Sequence, residues 1–305
     1  MAKHSKTRIN LEYLAARVIF GALGHLSPSA AMAVGRAIGW LTYTFASNLR
    51  RTAHRNLLLA FPEKSEEERK LLVQGCFRSL GRTLGFFSQF LTRPADPLRE
   101  QFDVTGIEHI VAAKALGRGA IFFTGHLGMW ELTSQGVCLV GHPFSFLVRR
   151  IDNPKVEELV DGARVRFGNK TLDKNSAARS MVKLLRSNEA FGLLPDLNTL
   201  GAEGIFVDFF GVPASTTFMV AKLALRTQAP IVPIFAPWNE STKKFEVQID
   251  PVVTIPITGD EETDVHTLTS KITKIVEDRI RRYPDQWLWI HKRWKTRPTG
   301  EPNIY

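Results

Sequence analysis

The sequence has few cysteines and no long uncharged apolar run. Cys76 and Cys138 are the two cysteines among 305 residues. They lie far apart in apolar contexts, which excludes a disulfide framework and a cysteine metal site and favours a reducing compartment. Both are therefore expected to be small buried core residues. The sequence also lacks internal repeats and low-complexity segments, which argues against a solenoid and against a disordered chain.

The N-terminal segment is basic and rich in apolar residues, but it is interrupted. Charged residues and the turn Ser27–Ser29 leave no stretch of the about 20 apolar residues that a membrane-spanning helix needs. No small-residue cleavage site follows a compact apolar run, so a signal peptide is not expected. Two alternatives stay open. In the first, short amphipathic helices lie on a membrane surface, with Lys3, Lys6 and Arg8 facing anionic headgroups. In the second, these helices pack on the protein's own core.

The overall charge is strongly positive. Lysine and arginine number 40 against 30 aspartates and glutamates, which gives a net charge of +10. Such a balance favours an anionic partner, such as a phosphorylated lipid, a nucleic acid or an acidic protein, without identifying it.

The first third of the chain has helical patterns from about residue 10 to residue 92. Within it, Ser65 followed by Glu68 resembles a capping box ahead of an apolar-periodic run. The segment TRPADPLREQF then breaks the pattern. The sequence therefore predicts a helical, membrane-associating N-terminal subdomain over residues 1–95 and an α/β domain over residues 96–305.

Short apolar runs alternate with helical patterns in the second part. The runs AIFFTG, FSFLVR, FGLLPD and APIVPIFAPW predict buried strands, and helices are expected at 153–167, 176–188 and 215–228. This alternation predicts an α/β fold, a mostly parallel sheet flanked by helices. The period-two segment KKFEVQIDPVVTI predicts a strand nearer an edge, and DVHTLTSKITKIVEDRIRRYP predicts the last helix.

The segment AIFFTGHLGMWEL places His126 directly after a predicted strand and Glu131 five positions later. Ligands of open α/β sheets bind at the carboxyl ends of strands, and Gly125 and Gly128 allow a sharp turn beside His126. Metal ligation is a poor interpretation, because no second histidine follows at the four-residue spacing of a zinc helix. A histidine oriented by a carboxylate suits a general base, although a structural role for the pair stays open.

Four stretches resemble one family. GHLGMWEL is similar to the H-x4-D/E motif of bacterial lysophospholipid and lipid A acyltransferases. HRNLLLAFPEKSEEER, FVDFFGVPASTTFMVAKLALRTQAPIVPIF and PDQWLWIHKRWKTRP resemble the late-acyltransferase branch, which adds secondary acyl chains to lipid A. The resemblance runs from about residue 50 to residue 298. The same branch includes phosphatidylinositol mannoside acyltransferases, so the family defines the reaction better than the acceptor.

The resemblance implies transfer of a fatty acyl group from an acyl thioester to a lipid hydroxyl. His126 would be the general base and Glu131 would orient it. The donor would be acyl carrier protein or coenzyme A as co-substrate, with no metal, no other cofactor and no acyl-enzyme. Backbone amides from Gly125 to Met129 and the side chain of Arg149 are candidate donors to the oxyanion.

Four residues are expected to bind substrate. Arg149 and Arg164 match family arginines and would hold a phosphate or carboxylate, unless they are solvated surface charges. Asp196 ends a predicted strand and is either a polar site residue or a cap. Arg293 lies in the basic and aromatic C-terminal segment.

Aromatic residues near the C-terminal half allow two interpretations. In FFGVPAST, one of Phe209 and Phe210 is expected in the core and the other in an acyl groove. The indoles of Trp287, Trp289 and Trp294 beside lysines and an arginine suit a lipid headgroup boundary, with some of them packed inward.

Together these patterns predict an acyltransferase at the cytoplasmic face of the inner membrane, peripheral or weakly anchored. Its predicted partners are a membrane lipid acceptor, the acyl thioester and the membrane surface, and no nucleic acid is expected. One alternative keeps the same catalytic pair and acylates phosphatidylinositol mannosides or lyso-phospholipids. A second is a non-catalytic basic protein that binds membrane or nucleic acid and has no need of His126.

Overall fold

A computed structural model describes residues 5–173, 177–255 and 257–305. Lys3, one of the residues expected to face lipid headgroups, lies outside these ranges. So does residue 176, the first residue of the helix expected at 176–188.

The first hundred residues are helical, as the sequence predicts. The capping box at Ser65 is present, because its hydroxyl accepts from the Glu68 amide while the Glu68 carboxylate accepts from the Ser65 amide. The helices are α1 Lys6–His25, α2 Pro28–Phe45, α3 Ser47–Ala60, α4 Glu66–Phe87, α5 Gln89–Thr92 and α6 Ala95–Arg99.

The rest of the chain forms a mostly parallel sheet, which confirms the predicted fold class. Its strands are β1 Phe102–Thr105, β2 Ala120–Phe123, β3 Ser145–Val148, β4 Lys170–Asp173, β5 Ala190–Leu193, β8 Ile231–Phe235, β9 Trp238–Asn239 and β10 Lys244–Ile249. The order is β1-β10-β8-β2-β5-β3-β4, with β9 paired to β10. The strand β10 lies next to the edge strand β1 and runs antiparallel to β8.

Within the described ranges, α-helices connect or cover these strands. They are α7 Ile107–Ala115, α8 Trp130–Leu139, α9 Pro154–Val165, α10 Ala177–Arg186, α11 Met219–Thr227 and α12 Glu261–Arg282. The predicted helix at 215–228 is wrong at its start, because residues 215–217 end the strand β7, Val212–Thr217. This strand pairs with β6, Gly204–Phe209, in a separate hairpin that the sequence patterns do not predict.

The two faces of the sheet pack into two clusters of buried residues. The side chains of Ile121 and Phe123 lie in one cluster, and that of Phe122 lies in the other, as alternation along a strand requires. Both clusters also contain residues from the N-terminal helices, such as Leu57 and Phe86. The helical part and the sheet therefore share their cores, and a division into two units near residue 95 stays a prediction.

The helices α2 and α4 cross at glycines. A Cβ on Gly81 would lie 2.1 Å from the carbonyl oxygen of Gly35, and a Cβ on Gly39 would lie 2.2 Å from that of Phe77. Only hydrogen atoms fit at these positions, so the two backbones are in direct contact. This contact holds α2 against the helix that packs on the sheet.

We expect Gly81→Ala to lower the free energy of unfolding by about 1–3 kcal/mol, because the new methyl group forces the two backbones apart. The control is Gly21→Ala in α1, where no atom lies within 4 Å of the new Cβ. That change should leave stability equal or raise it by up to about 1 kcal/mol. Urea unfolding of both variants measures the difference, and equal stabilities would contradict the close crossing.

Candidate active site

A sharp turn follows β2 and carries His126. Gly128 has φ +60°, and a Cβ there would lie 2.2 Å from the carbonyl oxygen of Ala236, so glycine is required. At Gly125, a Cβ would approach Asp196 Oδ2 at 3.1 Å. The two glycines therefore let the turn approach both a neighbouring strand end and a buried carboxylate.

His126 meets a carboxylate from the adjacent strand. In the parallel pair β2–β5, Phe123 is level with Leu193, and His126 and Asp196 each follow three residues later. His126 Nδ1 lies 2.8 Å from Asp196 Oδ1, and the His126 backbone amide donates to Oδ2 at 2.6 Å. The indole Nε1–H of Trp287 also donates to Oδ2, at 2.8 Å. Three contacts therefore fix this carboxylate and the ring.

Asp196 is buried and charged. Burial alone would raise the pKa of its carboxyl, but the charge of His126 and the hydrogen bonds from His126 and Trp287 lower the pKa below its ordinary value. Because the charged carboxylate of Asp196 can only accept, neutral His126 carries its proton on Nδ1 and donates it to Asp196. Its Nε2 then has a free lone pair that points away from Asp196. This is the tautomer that a general base needs.

Glu131 does not make the contact that the sequence predicts. Its two oxygens accept from Arg164, at 2.5 Å from Nη2 and 3.1 Å from Nε. The prediction that Glu131 orients His126 is therefore corrected, since a five-residue step places Glu131 in the first turn of α8, facing α9. A role for His126 or Glu131 in the reaction itself stays a prediction.

A cavity of about 210 Å³ opens beside His126. Its mouth is polar, with Glu131, Arg149 and Arg164. Its inner wall is apolar and lies between α8 and the strands β2, β5 and β3. The apolar lining includes Phe122, Phe144, Phe146, Val148, Leu194 and Ile234. The site thus combines a charged entrance with a space suited to a hydrocarbon chain.

Two arginines at the mouth have free donors. Arg149 is exposed and makes no hydrogen bond or ion pair with any residue that the structure describes. Arg164 Nη1 is buried and, within the described ranges, has no partner. Burial opposes the charge on Arg164, but Glu131 raises the pKa of its guanidinium above the ordinary value. A permanent cation therefore lines the cavity, with its Nη1 enclosed by protein.

The backbone amides of the turn are already occupied. His126 N donates to Asp196, Leu127 N to Gly125 O, Gly128 N to Gln286 O and Met129 N to Ala236 O. The expectation that the amides from Gly125 to Met129 stabilise an oxyanion is therefore wrong for residues 126–129, and for Gly125 it stays a prediction. The helix α8 begins at Trp130 without a side-chain cap. The Leu132 amide donates to the Met129 carbonyl oxygen, whereas the amides of Trp130 and Glu131 have no acceptor among the described residues.

Two residues expected to bind substrate lie elsewhere. Asp196 sits behind His126 and does not line the cavity. Arg293 is fully buried, and its guanidinium donates to Ser215 O at 2.7 Å and stacks on Phe209. Arg293 therefore anchors β7, because a buried guanidinium has to satisfy its donors with the nearest carbonyl groups.

The aromatic residues of the C-terminal half are core residues. The indoles of Trp287, Trp289 and Trp294 are fully buried, so they do not form a headgroup boundary. Phe209 and Phe210 are both buried as well, and neither lines the cavity. The expected groove-facing phenylalanine is therefore wrong. Trp287 is the second residue, after His126, that donates to Asp196. No local sequence pattern indicates this role beyond the position of Trp287 among several tryptophans.

The sequence as a whole matches one family of enzymes. The model of the bacterial lipid A biosynthesis acyltransferases matches residues 2–296. The lipid A biosynthesis lauroyltransferase of Escherichia coli K12 is 30% identical over 274 residues, 89% of this chain and 87% of the relative. The palmitoleoyltransferase of the same strain is 29% identical over 275 residues, with 89% and 87% covered. A lipid A biosynthesis acyltransferase of Haemophilus influenzae is 28% identical over 258 residues, with 84% and 79% covered.

The site thus places a histidine, held by a buried carboxylate, beside an apolar cavity. The chain belongs to the bacterial lipid A biosynthesis acyltransferase family, which confirms the resemblance and the prediction of an acyltransferase.

A second histidine, His291, makes the stability of the region behind the His126–Asp196 pair sensitive to acid. Burial, and then the charge of His126, lower the pKa of His291 from 6.5 to about 4. Its Nε2 lies 3.3 Å from the backbone N–H of Asn198, from which it accepts. Neutral His291 is therefore the folded form.

We expect unfolding free energy to fall as the pH drops from about 6.5 to about 4, because unfolded His291 binds a proton that the folded form rejects. Between pH 7 and pH 5 the loss from this group is about 1–2 kcal/mol. In His291→Gln, urea unfolding should show a correspondingly smaller difference between the two pH values. An unchanged difference would show that His291 does not carry this sensitivity.

Proposed function

We propose that this chain transfers a fatty acyl group from an acyl thioester to a hydroxyl of lipid A or a closely related glycolipid. The observation that carries the proposal is His126, held by Asp196 at the mouth of an apolar cavity. The names of the relatives support lipid A as the acceptor, since they are lauroyl-, palmitoleoyl- and myristoyltransferases of lipid A biosynthesis. The proposed donor is acyl carrier protein or coenzyme A carrying the chain, and the proposal includes no cofactor.

The first step is removal of a proton from the acceptor hydroxyl. His126 Nε2 takes the proton as the oxygen attacks the thioester carbonyl, and Asp196 stabilises the imidazolium that forms. A buried carboxylate with a lowered pKa stays charged during this step, so the ring keeps both its orientation and its charge balance.

The second step is collapse of the tetrahedral intermediate. Its oxyanion needs donors, and the Arg164 guanidinium and the backbone amides of Trp130 and Glu131, all residues that line the cavity, are the groups available for it. The carbon–sulfur bond then breaks, and the thiolate takes the proton from the His126 imidazolium. In this scheme Glu131 positions Arg164, and Arg149 binds an anionic group of one substrate at the entrance.

The acyl chain of the donor would occupy the apolar part of the cavity. The thioester carbonyl then lies near His126, and the carrier stays outside. This placement requires only one apolar chain to enter, which fits a cavity of about 210 Å³ better than an entire lipid acceptor.

Membrane association is proposed through α1 and α2. Within the described ranges, no helix has both the length and the apolar content needed to cross a bilayer. Yet α1 exposes Leu11, Leu14 and Val18 on one face, and α2 exposes Trp40 (61%) and Phe45 (80%). Exposed Lys6, Arg8, Arg17 and Arg36 accompany these apolar residues.

The same helices connect to the active site. Asn153 Nδ2, at the start of α9, donates to the Ile9 carbonyl oxygen at 3.0 Å and to Glu12 Oε2 at 2.9 Å. Arg164 of the cavity mouth lies in the last turn of the same helix. The helix α9 thus joins α1 at one end to the cavity mouth at the other, about 16 Å away. We propose that the chain binds peripherally at the cytoplasmic face of the inner membrane, with α1 and α2 against the bilayer.

We expect His126→Ala and Asp196→Asn each to lower turnover on the order of a hundredfold or more, because one removes the base and the other its orienting acceptor. Glu131→Gln, which keeps an oxygen for Arg164, should lower turnover about tenfold or less and leave the pH profile unchanged. Transfer from an acyl thioester to a lipid A precursor measures this. Full turnover in His126→Ala would contradict the mechanism, and faster acylation of phosphatidylinositol mannosides or lyso-phospholipids would contradict the acceptor.

We expect the double variant Trp40→Ser/Phe45→Ser to bind vesicles of anionic phospholipid about tenfold more weakly, because two exposed aromatic side chains no longer enter the bilayer. Co-sedimentation measures binding, and Val111→Ser is the control, since Val111 is also exposed (52%) but lies on α7. Equal binding by the double variant and the wild type would contradict docking through α1 and α2.

A further inference from the structure

Phe144 lines the active-site cavity at the amino end of β3. This residue precedes β3 and is 7% exposed. Its ring packs edge to face on Phe122, with centroids 4.9 Å apart, and contacts Phe146 at 6.2 Å. Its backbone is fixed as well, because its amide donates to Asn169 Oδ1 and its carbonyl accepts from the Lys170 amide. The ring is therefore held in place at the end of the apolar wall.

A second, smaller cavity lies on the other side of the same ring. It has a volume of about 160 Å³ and opens at the amino ends of β3, β4 and β5. His126 lies at the opposite, carboxyl ends of the strands. Among the described residues, Phe144 alone lines both cavities. The lining of the second cavity also includes Lys114, Ser145, Lys170, Glu189 and Ala190.

Gly192 gives the ring its space. This glycine lies in the central strand β5 and lines the active-site cavity. A Cβ at this position would lie 2.7 Å from Phe144 Cε2. Its φ is not positive, so an alanine would be accepted by the backbone and would press on the edge of the ring.

We propose that Phe144 is the partition that sets the longest acyl chain the enzyme accepts, and that its removal joins the two cavities into a channel through the sheet layer. This inference rests on the proposed function, because it takes the apolar cavity as the acyl site. Each methylene of the acyl chain that is buried in the apolar cavity improves binding of the donor roughly fourfold. A methylene that would overlap the Phe144 ring cannot be buried. A chain longer than the cavity would thus lose efficiency abruptly at the partition.

The test uses the full chain and a series of saturated acyl-coenzyme A and acyl carrier protein thioesters that lengthens by two carbons at a time. The measured quantity is kcat/KM for each donor with a lipid A precursor. For Phe144→Ala, we expect the optimum to move to longer chains, with a gain of roughly fourfold for each methylene beyond the wild-type limit. Phe144→Leu should move the optimum less in the same direction, and it keeps the test possible if the alanine variant does not fold.

Gly192→Ala provides the opposite change. Its methyl group adds bulk beside the ring at a residue that lines the active-site cavity, so the optimum should move to shorter chains. In Gly192→Ala/Phe144→Ala the methyl group has no ring to displace, so acceptance of long chains should return. Phe102→Ala is the control, since Phe102 is buried in the same core and lines neither cavity. It should lower the Tm and leave the chain-length profile unchanged.

The outcomes separate the two proposals. A wild-type enzyme that transfers no acyl chain of any length overturns the proposed function, and this inference fails with it. An active wild type whose chain-length profile is the same in folded Phe144→Ala, Phe144→Leu and Gly192→Ala overturns only the partition.

Discussion

The contact between Asp196 and His126 is the interaction on which the site depends. One buried carboxylate accepts from the His126 ring, the His126 backbone amide and the Trp287 indole. It thereby joins the ends of two adjacent parallel strands to the C-terminal segment. The position of the histidine at the cavity mouth is fixed by a group that does not itself line the cavity, so the chemistry depends on packing behind the site.

In the proposed mechanism, a consequence of this arrangement is that the oxyanion is stabilised by Arg164 and the first amides of α8 instead of by the amides of the turn. The amides of the turn at 126–129 bind protein acceptors and hold the turn rigid. Arg164, braced by both oxygens of Glu131, then becomes the main electrostatic feature facing the cavity. The pair His126–Asp196 and the pair Arg164–Glu131 are therefore separate units, the first suited to proton transfer and the second to an anion.

Much of the fold could be predicted from the sequence, because the apolar runs of β2, β5 and β8 and the helical periodicity before residue 92 are local signals. The hairpin β6–β7 could not, because the sequence pattern assigns its last residues, 215–217, to the helix that follows. At the site, the turn at His126 follows from its glycines and its place after a strand. The pairing with Asp196 depends on β2 and β5 being neighbours, which no local pattern encodes, and the short spacing to Glu131 favoured the wrong partner. The burial of Arg293 and the tryptophans likewise depends on the tertiary structure.

The central claim is that Asp196, not Glu131, sets the state of the His126 ring. Nitrogen-15 NMR of the labelled imidazole at a pH where it is neutral tests this most directly, because the two tautomers have distinct shifts at Nδ1 and Nε2. The account predicts a proton on Nδ1 in the wild type, the same tautomer in Glu131→Gln, and its loss in Asp196→Asn. A proton on Nε2 in the wild type, or a tautomer that changes in Glu131→Gln and stays in Asp196→Asn, would contradict it.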